Sequence, residues 1–473
     1  MKNNFLEKMN ELDNKNTGVN VRKLLSLDKE IYLLYISLIV DRKSISENII
    51  KPILKYTENS KLTMKKLAES VIFVDEVEFD SDEEKIEHYL LEGKTIVLSP
   101  NEDDYLVVDV LKREKRNVES PEVETGIKAP RDAFTESIET NLSLIRYRIK
   151  DPELRIESIS IGRRTKTKVA VVYIEDIVNT NYLNQIKDQL NRIEIDGILE
   201  SGYIQKYLSD RKKIFPQIGT SERSDSVAGK LLDGKVAIIV DGSNFALIAP
   251  RTFLEFLDSG DDHYESTYIS AFVSIIRFIA LLLTLTLSAL YVTVVAYHPD
   301  ILPSQYILSL ANSRVSVPVN ALLEALIMEF VVELLRESNT RLPRQIGPSI
   351  GIVGTIVIGQ AAVSAGLVSP LMVIIVSLSS MASFALPDYA LVNITRLLKF
   401  FMILCAGAFG LFGFIMGYTF LVVILVSTYS VGIPYTAPLA PFSFKDIKDF
   451  LLADIVTNKE RPSYINTKDK TKR

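Results

Sequence analysis

FIALLLTLTLSALYVTVVAY, from Phe278 to Tyr297, is a run of 20 residues without a charge. At about 1.5 Å rise per residue a helix of this length crosses the ~30 Å hydrocarbon core of a bilayer. It predicts a transmembrane helix and divides the chain in two. From Ile269 to Ser430 there are seven Lys/Arg and six Asp/Glu in 162 residues, whereas residues 1–268 carry a net charge of −9 and residues 431–473 one of +3. The apolar half therefore reads as an α-helical multispanning membrane domain, 269–430, and the charged half as a water-soluble amino-terminal region.

The charge distribution excludes some functions. An acidic region without a basic stripe is unsuited to nucleic acid, whose phosphates require clustered Lys and Arg. The only histidines, His88, His263 and His298, fall in three separate regions, so no metal site or Ser-His-Asp triad has a local signature. Neither GxxxxGK[ST] nor GxGxxG occurs, which leaves no phosphate cradle. No catalytic residue, metal or cofactor is assigned, and the chain is not expected to be an enzyme. The single cysteine, Cys405, lies in an apolar run and reads as packing. The first 30 residues are charged throughout and hold no signal-peptide core, so the amino-terminal region is expected in the cytoplasm.

Three further stretches extend the membrane domain. IGPSIGIVGTIVIGQAAVSAGLV (Ile346–Val368) and PLMVIIVSLSSMASFAL (Pro370–Leu386) predict two helices joined at Ser369 as a hairpin. Gly347 and Gly351 form a GxxxG-like element continued by Gly354, the signature of close helix packing. FFMILCAGAFGLFGFIMGYTFLVVILVSTY (Phe400–Tyr429) has 30 residues, about 45 Å as one helix. It is either strongly tilted or broken near its glycines, with Gly410 and Gly413 as hinge candidates.

VNALLEALIMEFVVELLRE (Val319–Glu337) is helical by pattern but acidic. At 100° per residue Glu329, Glu333, Arg336 and Glu337 share one stripe, with Glu324 on roughly the opposite side. A carboxylate at the bilayer centre costs ~2.5–3.5 kcal/mol on insertion scales, so the helix cannot face lipid all round. It lies at the interface, dips in as a re-entrant element, or spans with the stripe turned to a protein-lined or water-filled cavity. Glu324, Glu329 and Glu333 are the pore or gating candidates, since rings of acidic side chains select cations. Interfacial exposure and pairing within the subunit are the competing readings. Six crossings place Arg341 and Arg344, then Arg396 and Lys399, then the tail on the cytoplasmic side. Four crossings strand five basic residues outside and rank second.

The soluble region reads as α/β in two subdomains. After a polar tail (1–20), residues 21–114 alternate helix-like stretches with apolar runs such as TIVLS, and residues 115–140, rich in charge with Pro121, Gly126 and Pro130, form a linker. In the second subdomain, 141–268, KVAVVYI (Lys168–Ile174) predicts a strand and NYLNQIKDQLNRI (Asn181–Ile193) a helix. LLDGKVAIIVDGSNFALIAP (Leu231–Pro250) predicts a hairpin turning at Asp241-Gly242-Ser243-Asn244. Residues 431–473 are left as a cytoplasmic tail.

GRRTKTKVAVVYI (Gly162–Ile174), ESGYIQKYLSD (Glu200–Asp210), Phe215–Gln217, Leu231–Pro250, HPDILPSQ, ANSR, the acidic helix and GIPYTAPLAP (Gly432–Pro441) occur in an order that resembles the A subunit of GerA-type spore germination receptors. The resemblance covers about Leu142 to Leu452. TSERSD (Thr220–Asp225) departs from a TERPD-like string, and VDGSNF (Val240–Phe245) from a VDGTP-like turn. The resemblance implies an A subunit in the spore inner membrane, surrounded by membrane lipid. Its implied partners are a transporter-like B subunit that binds the nutrient and a lipoprotein C subunit. It further implies a homo-oligomer acting as a ligand-gated cation channel; a non-conducting signalling scaffold is the alternative.

Overall fold

A computed structural model describes residues 18–472 except 27–28, 58–61, 101, 112–120, 122, 125, 127, 342–356 and 453–458. The chain forms two compact units: Met1–Asp210 with Ile218–Arg251 and Asn458–Arg473, and Arg211–Gln217 with Thr252–Thr457.

The first unit holds two five-stranded antiparallel sheets. In one, β1 (Val19–Ser26), β2 (Lys29–Ile36), β4 (Lys94–Leu98), β5 (Tyr105–Asp109) and β3 (Val77–Asp80) lie side by side in that order. Side chains alternate across a strand, and the two sets are buried separately. Leu33, Val97, Leu106 and Val108 pack with Ile45, Ile49, Ile53 and Leu67, and Leu34, Ile36, Ile96, Leu98 and Val107 with Ile86 and Leu90. TIVLS is thus a strand covered on both faces, which is why it reads as a continuous apolar run.

The second sheet has the order β6 (Leu154–Ile161), β7 (Thr167–Ile174), β9 (Val236–Val240), β10 (Ala246–Ala249) and β8 (Gly219–Ser221). β9 and β10 are the expected hairpin, with Ile239 opposite Ala246 and Gly242 at φ +85° in the turn. KVAVVYI lies within β7, and the expected helix is Thr180–Asn191, its backbone start capped by Asn179. Ala170, Val172, Ile174, Ala237 and Ile239 pack on Ile138, Leu142 and Ile145 of the helix Ile138–Arg148. The described part of the linker follows β8: Val123 N–H donates to Glu222, and Ser221 donates to Glu124 at 2.8 Å.

The carboxy-terminal segment is a structured part of this unit, where the sequence suggested only a tail. Ile465 and Thr467 are buried. Lys468 N–H donates to the Ile177 carbonyl at 3.0 Å, Asn179 Nδ2 to Asn466 O at 2.9 Å, and Arg461 Nε to Leu232 O at 2.8 Å. Lys472 pairs with Asp233 at 2.7 Å.

The second unit is helical. Its long members are Thr267–Tyr297, the acidic helix Ala321–Arg341, Pro370–Phe384 and Tyr389–Val426, with the shorter helices Ser304–Arg314 and Phe444–Leu452. Residues 357–364 are helical as well, and Gly359 lies beside Val373, so the chain doubles back near Gly366 (φ +67°) as the hairpin reading required. The expected crossing Ile346–Val368 falls partly outside the described residues. Thr267–Tyr297 and Tyr389–Val426 are each long and apolar enough to cross a membrane. Leu397, Leu404, Phe409, Phe412, Ile415 and Val423 are each more than half exposed. An apolar surface of this extent is the mark of contact with lipid or another apolar partner.

Candidate functional site

The acidic helix is positioned by apolar burial and then fixed by charge. Ala321, Ala325 and Met328 sit in the core of the helical unit with Ala289, Val292, Met402 and Ile403. Ala321 and Ala325 leave room for neighbouring helices to approach closely. Three of its carboxylates point into protein and Glu337 is exposed. Glu324 and Glu329 are fully buried, and Glu333 is largely so.

Each of the three candidate carboxylates has partners within the chain. Glu324 Oε1 accepts from the Ser369 backbone N–H and hydroxyl, both at 2.6 Å, and its Oε2 lies 3.2 Å from Arg314. Tyr291 extends this cluster, 3.0 Å from Ser369 Oγ. Because Ser369 caps the helix that begins at Pro370, Glu324 ties the start of the acidic helix to the start of the next. Glu329 Oε1 accepts from Ser288 at 2.6 Å, and Oε2 pairs with Lys399 at 2.5 Å. Glu333 accepts from Arg396, whose Nε is 2.8 Å away. Arg336 donates to Ser383 at 2.9 Å and lies over the Phe384 ring.

Of the stripe, Glu329, Glu333 and Arg336 are turned to protein partners, and Glu337 is exposed. Lys399 is 1% exposed. It and Arg396, the pair expected on the cytoplasmic side, belong to helix Tyr389–Val426 and neutralise the acidic helix. Sequence reasoning missed the partners Ser288, Arg314, Ser369 and Lys399. A signal was present: Glu329 and Glu333 are four residues apart and Arg396 and Lys399 three, so antiparallel helices bring the two sets into register.

The long apolar run is broken. Gly410 has φ 58° and ψ −137° inside Tyr389–Val426, which ends one helical leg at 409 and starts another at 411. The legs fold against each other. A Cβ on Gly413 would lie 2.0 Å from the Cys405 carbonyl oxygen, a Cβ on Gly417 would meet Met402 and Cys405, and the tilted rings of Phe401 and Phe420 lie 5.7 Å apart. Only glycine allows both the positive φ and the close approach. Tyr297 packs on Gly410 and donates to the Gly407 carbonyl at 2.5 Å, and the Leu411 N–H donates to His298 Nε2 at 3.4 Å. Of the packing candidates, Gly347, Gly351 and Gly354 lie outside the described residues.

Among the described residues, no group of three or more His, Cys, Asp or Glu is arranged to hold a metal ion. The chemistry that remains is electrostatic: carboxylates desolvated among apolar helices, Glu324 neutralised by Arg314, and Glu329 and Glu333 by Lys399 and Arg396 of helix Tyr389–Val426.

An α/β region joined to apolar helices with internally neutralised charges defines a membrane-associated protein. The profile described as Bacillus/Clostridium GerA spore germination protein matches residues 6–464, and the chain belongs to the GerA family. It is 38% identical over 444 residues to spore germination protein KA of Bacillus subtilis (strain 168), covering 93% of this chain and 81% of that protein. It is likewise 38% identical to spore germination protein GerLA of Bacillus cereus (92% and 89% covered) and 35% identical to the membrane protein YfkQ of Bacillus subtilis (strain 168) (91% and 84%). The crystal structure of the N-terminal domain of the A subunit of the Bacillus megaterium spore germinant receptor GerK3 aligns with 52% of this chain and 94% of that one, at 32% identity and a TM-score of 0.41.

Proposed function

We propose that this chain is the A subunit of a nutrient germinant receptor in the spore inner membrane and helps trigger germination as a ligand-gated cation channel. The near full-length match to germination proteins over residues 6–464 carries the receptor reading. Conduction is supported by the acidic helix, since three carboxylates within an apolar helical unit are costly and such residues mark ion paths. In this reading several copies assemble around a pore, a transporter-like B subunit binds the nutrient, and a lipoprotein C subunit completes the complex. The amino-terminal region and the carboxy terminus face the cytoplasm. The break at Gly410 favours six crossings over four, because it supplies two legs from one apolar run.

For nutrient binding to open the channel, the partner must contact the open state more favourably, and ~3 kcal/mol of coupling shifts the equilibrium ~150-fold. A signalling scaffold is the second reading, favoured by the pairing of every candidate carboxylate inside one chain. Spores lacking this chain are expected to lose the response to the nutrients its receptor serves and to recover it when the chain is restored. An unchanged response in a strain without other family members contradicts the receptor assignment.

A further inference from the structure

The last apolar leg ends beside a basic strip and an apolar loop. Helix Tyr389–Val426 closes at Ser427, whose carbonyl and hydroxyl accept from Lys213 at 2.7 and 2.9 Å, and the neighbouring Arg211 and Lys212 are exposed. The chain then turns back. The Ser430 hydroxyl donates to the Gln217 carbonyl at 2.6 Å, and the Phe253 N–H to the Tyr435 carbonyl at 2.7 Å. Backbone bonds from Leu439 to Thr436 and from Ser443 to Pro438 fix the loop that follows. On it Leu439, Phe442 and Phe444 project outward, and Phe442 and Phe444 are 74% and 72% exposed.

Helix Phe444–Leu452 continues this surface. At 100° per residue Phe444, Lys448 and Lys445 share a face about 100° wide, with Asp446 and Phe450 opposite. Asp446 is buried and Phe450 packs on the helical core, whereas Lys445 and Lys448 are exposed. The helix packs on Thr267–Tyr297, whose 31 residues span about 46 Å against a ~30 Å hydrocarbon core. The first turns of that longer helix expose Tyr268, Ile269 and Phe272.

We propose that residues 439–452 form a foot on the cytoplasmic leaflet: Leu439, Phe442 and Phe444 enter the boundary between headgroups and acyl chains, and Lys448 meets anionic headgroups. The proposal rests on the membrane orientation above. A fixed loop that displays three large apolar side chains marks a contact surface. Exposed lysine beside them, with Asp446 turned inward, suits a surface that is apolar beneath and negative above, which is the bilayer interface. The basic strip at the end of the last leg and the surplus length of Thr267–Tyr297 set the same level, since Lys and Arg gather at the cytoplasmic side.

The sequence holds no tryptophan, so Phe444→Trp introduces a single reporter at an exposed position. The full chain carrying it is reconstituted in vesicles of phosphatidylcholine and phosphatidylglycerol. Its fluorescence is expected to be quenched by lipid brominated near the headgroup and spared by aqueous acrylamide. Brominated phosphatidylglycerol should quench about twofold more than brominated phosphatidylcholine, and adding Lys448→Gln should bring that ratio to about one. Quenching by acrylamide alone puts the face in water, and shielding from both quenchers puts it under protein, such as a second copy; either result overturns the foot. An unchanged ratio in the lysine variant overturns the headgroup contact. Leu397→Trp, made alone at an exposed site in helix Tyr389–Val426, separates this proposal from the reading beneath it. No quenching of that variant by any brominated lipid overturns the membrane-spanning reading itself.

Discussion

At the residue scale, sequence and structure divide the information about charge. Glu324, Glu329 and Glu333 were legible because an acid in an apolar run needs compensation, whereas their partners come from 10 to 70 residues away. A single sequence does not show which of several isolated cations meets which carboxylate. Asp469 was not legible at all, as its role depends on a tail that packs back on the first unit. The Thr471 backbone N–H and hydroxyl and the Arg461 guanidinium hold its carboxyl down to about 2. A depressed folded-state pKa gives stability above the unfolded value of about 3.9 that is lost as pH falls toward 2. Hydrogen exchange of residues 459–472 is therefore expected to quicken, relative to the intrinsic rate, across that window. Asp469→Asn should loosen the same segment at pH 7; equal protection in the variant would contradict this.

At the scale of elements, local patterns gave the β9–β10 hairpin and the β7 strand, because turn residues and continuous apolar runs are local signals. The long run was legible only as too long. Four glycines offered four breaking points, and tertiary contact chose Gly410, where the chain reverses beneath Tyr297. Gly413→Ala places a methyl against the Cys405 carbonyl and is expected to cost about 1–3 kcal/mol. Thermal unfolding in detergent, followed by a thiol dye on Cys405, should show a Tm lowered by several degrees. Gly229→Ala, in helix Ser224–Leu232 with nothing within 4 Å, is the opposite case and is expected to stabilise the protein by about 0.5–1 kcal/mol. Equal effects of the two changes would contradict the packing described for the hairpin.

At the scale of the whole molecule, composition alone separated an acidic α/β region from an apolar helical one, since burial in water and in lipid demand different surfaces. The carboxy-terminal segment escaped that reading because its contacts are backbone hydrogen bonds and single ion pairs, which leave no periodic pattern. Orientation across the membrane can be tested directly, as the chain has one native cysteine. In a Cys405→Ser background, Tyr306→Cys is expected to react with an impermeant maleimide from outside and Lys470→Cys only after the membrane is opened. The reverse pattern would contradict the six-crossing orientation.

The most direct test of the channel reading is ion flux through liposomes containing the purified chain with its B and C partners. Nutrient-evoked, cation-selective flux that changes in Glu329→Gln is the expected result. No flux in the complete complex with nutrient present would contradict conduction by this chain and leave the signalling scaffold.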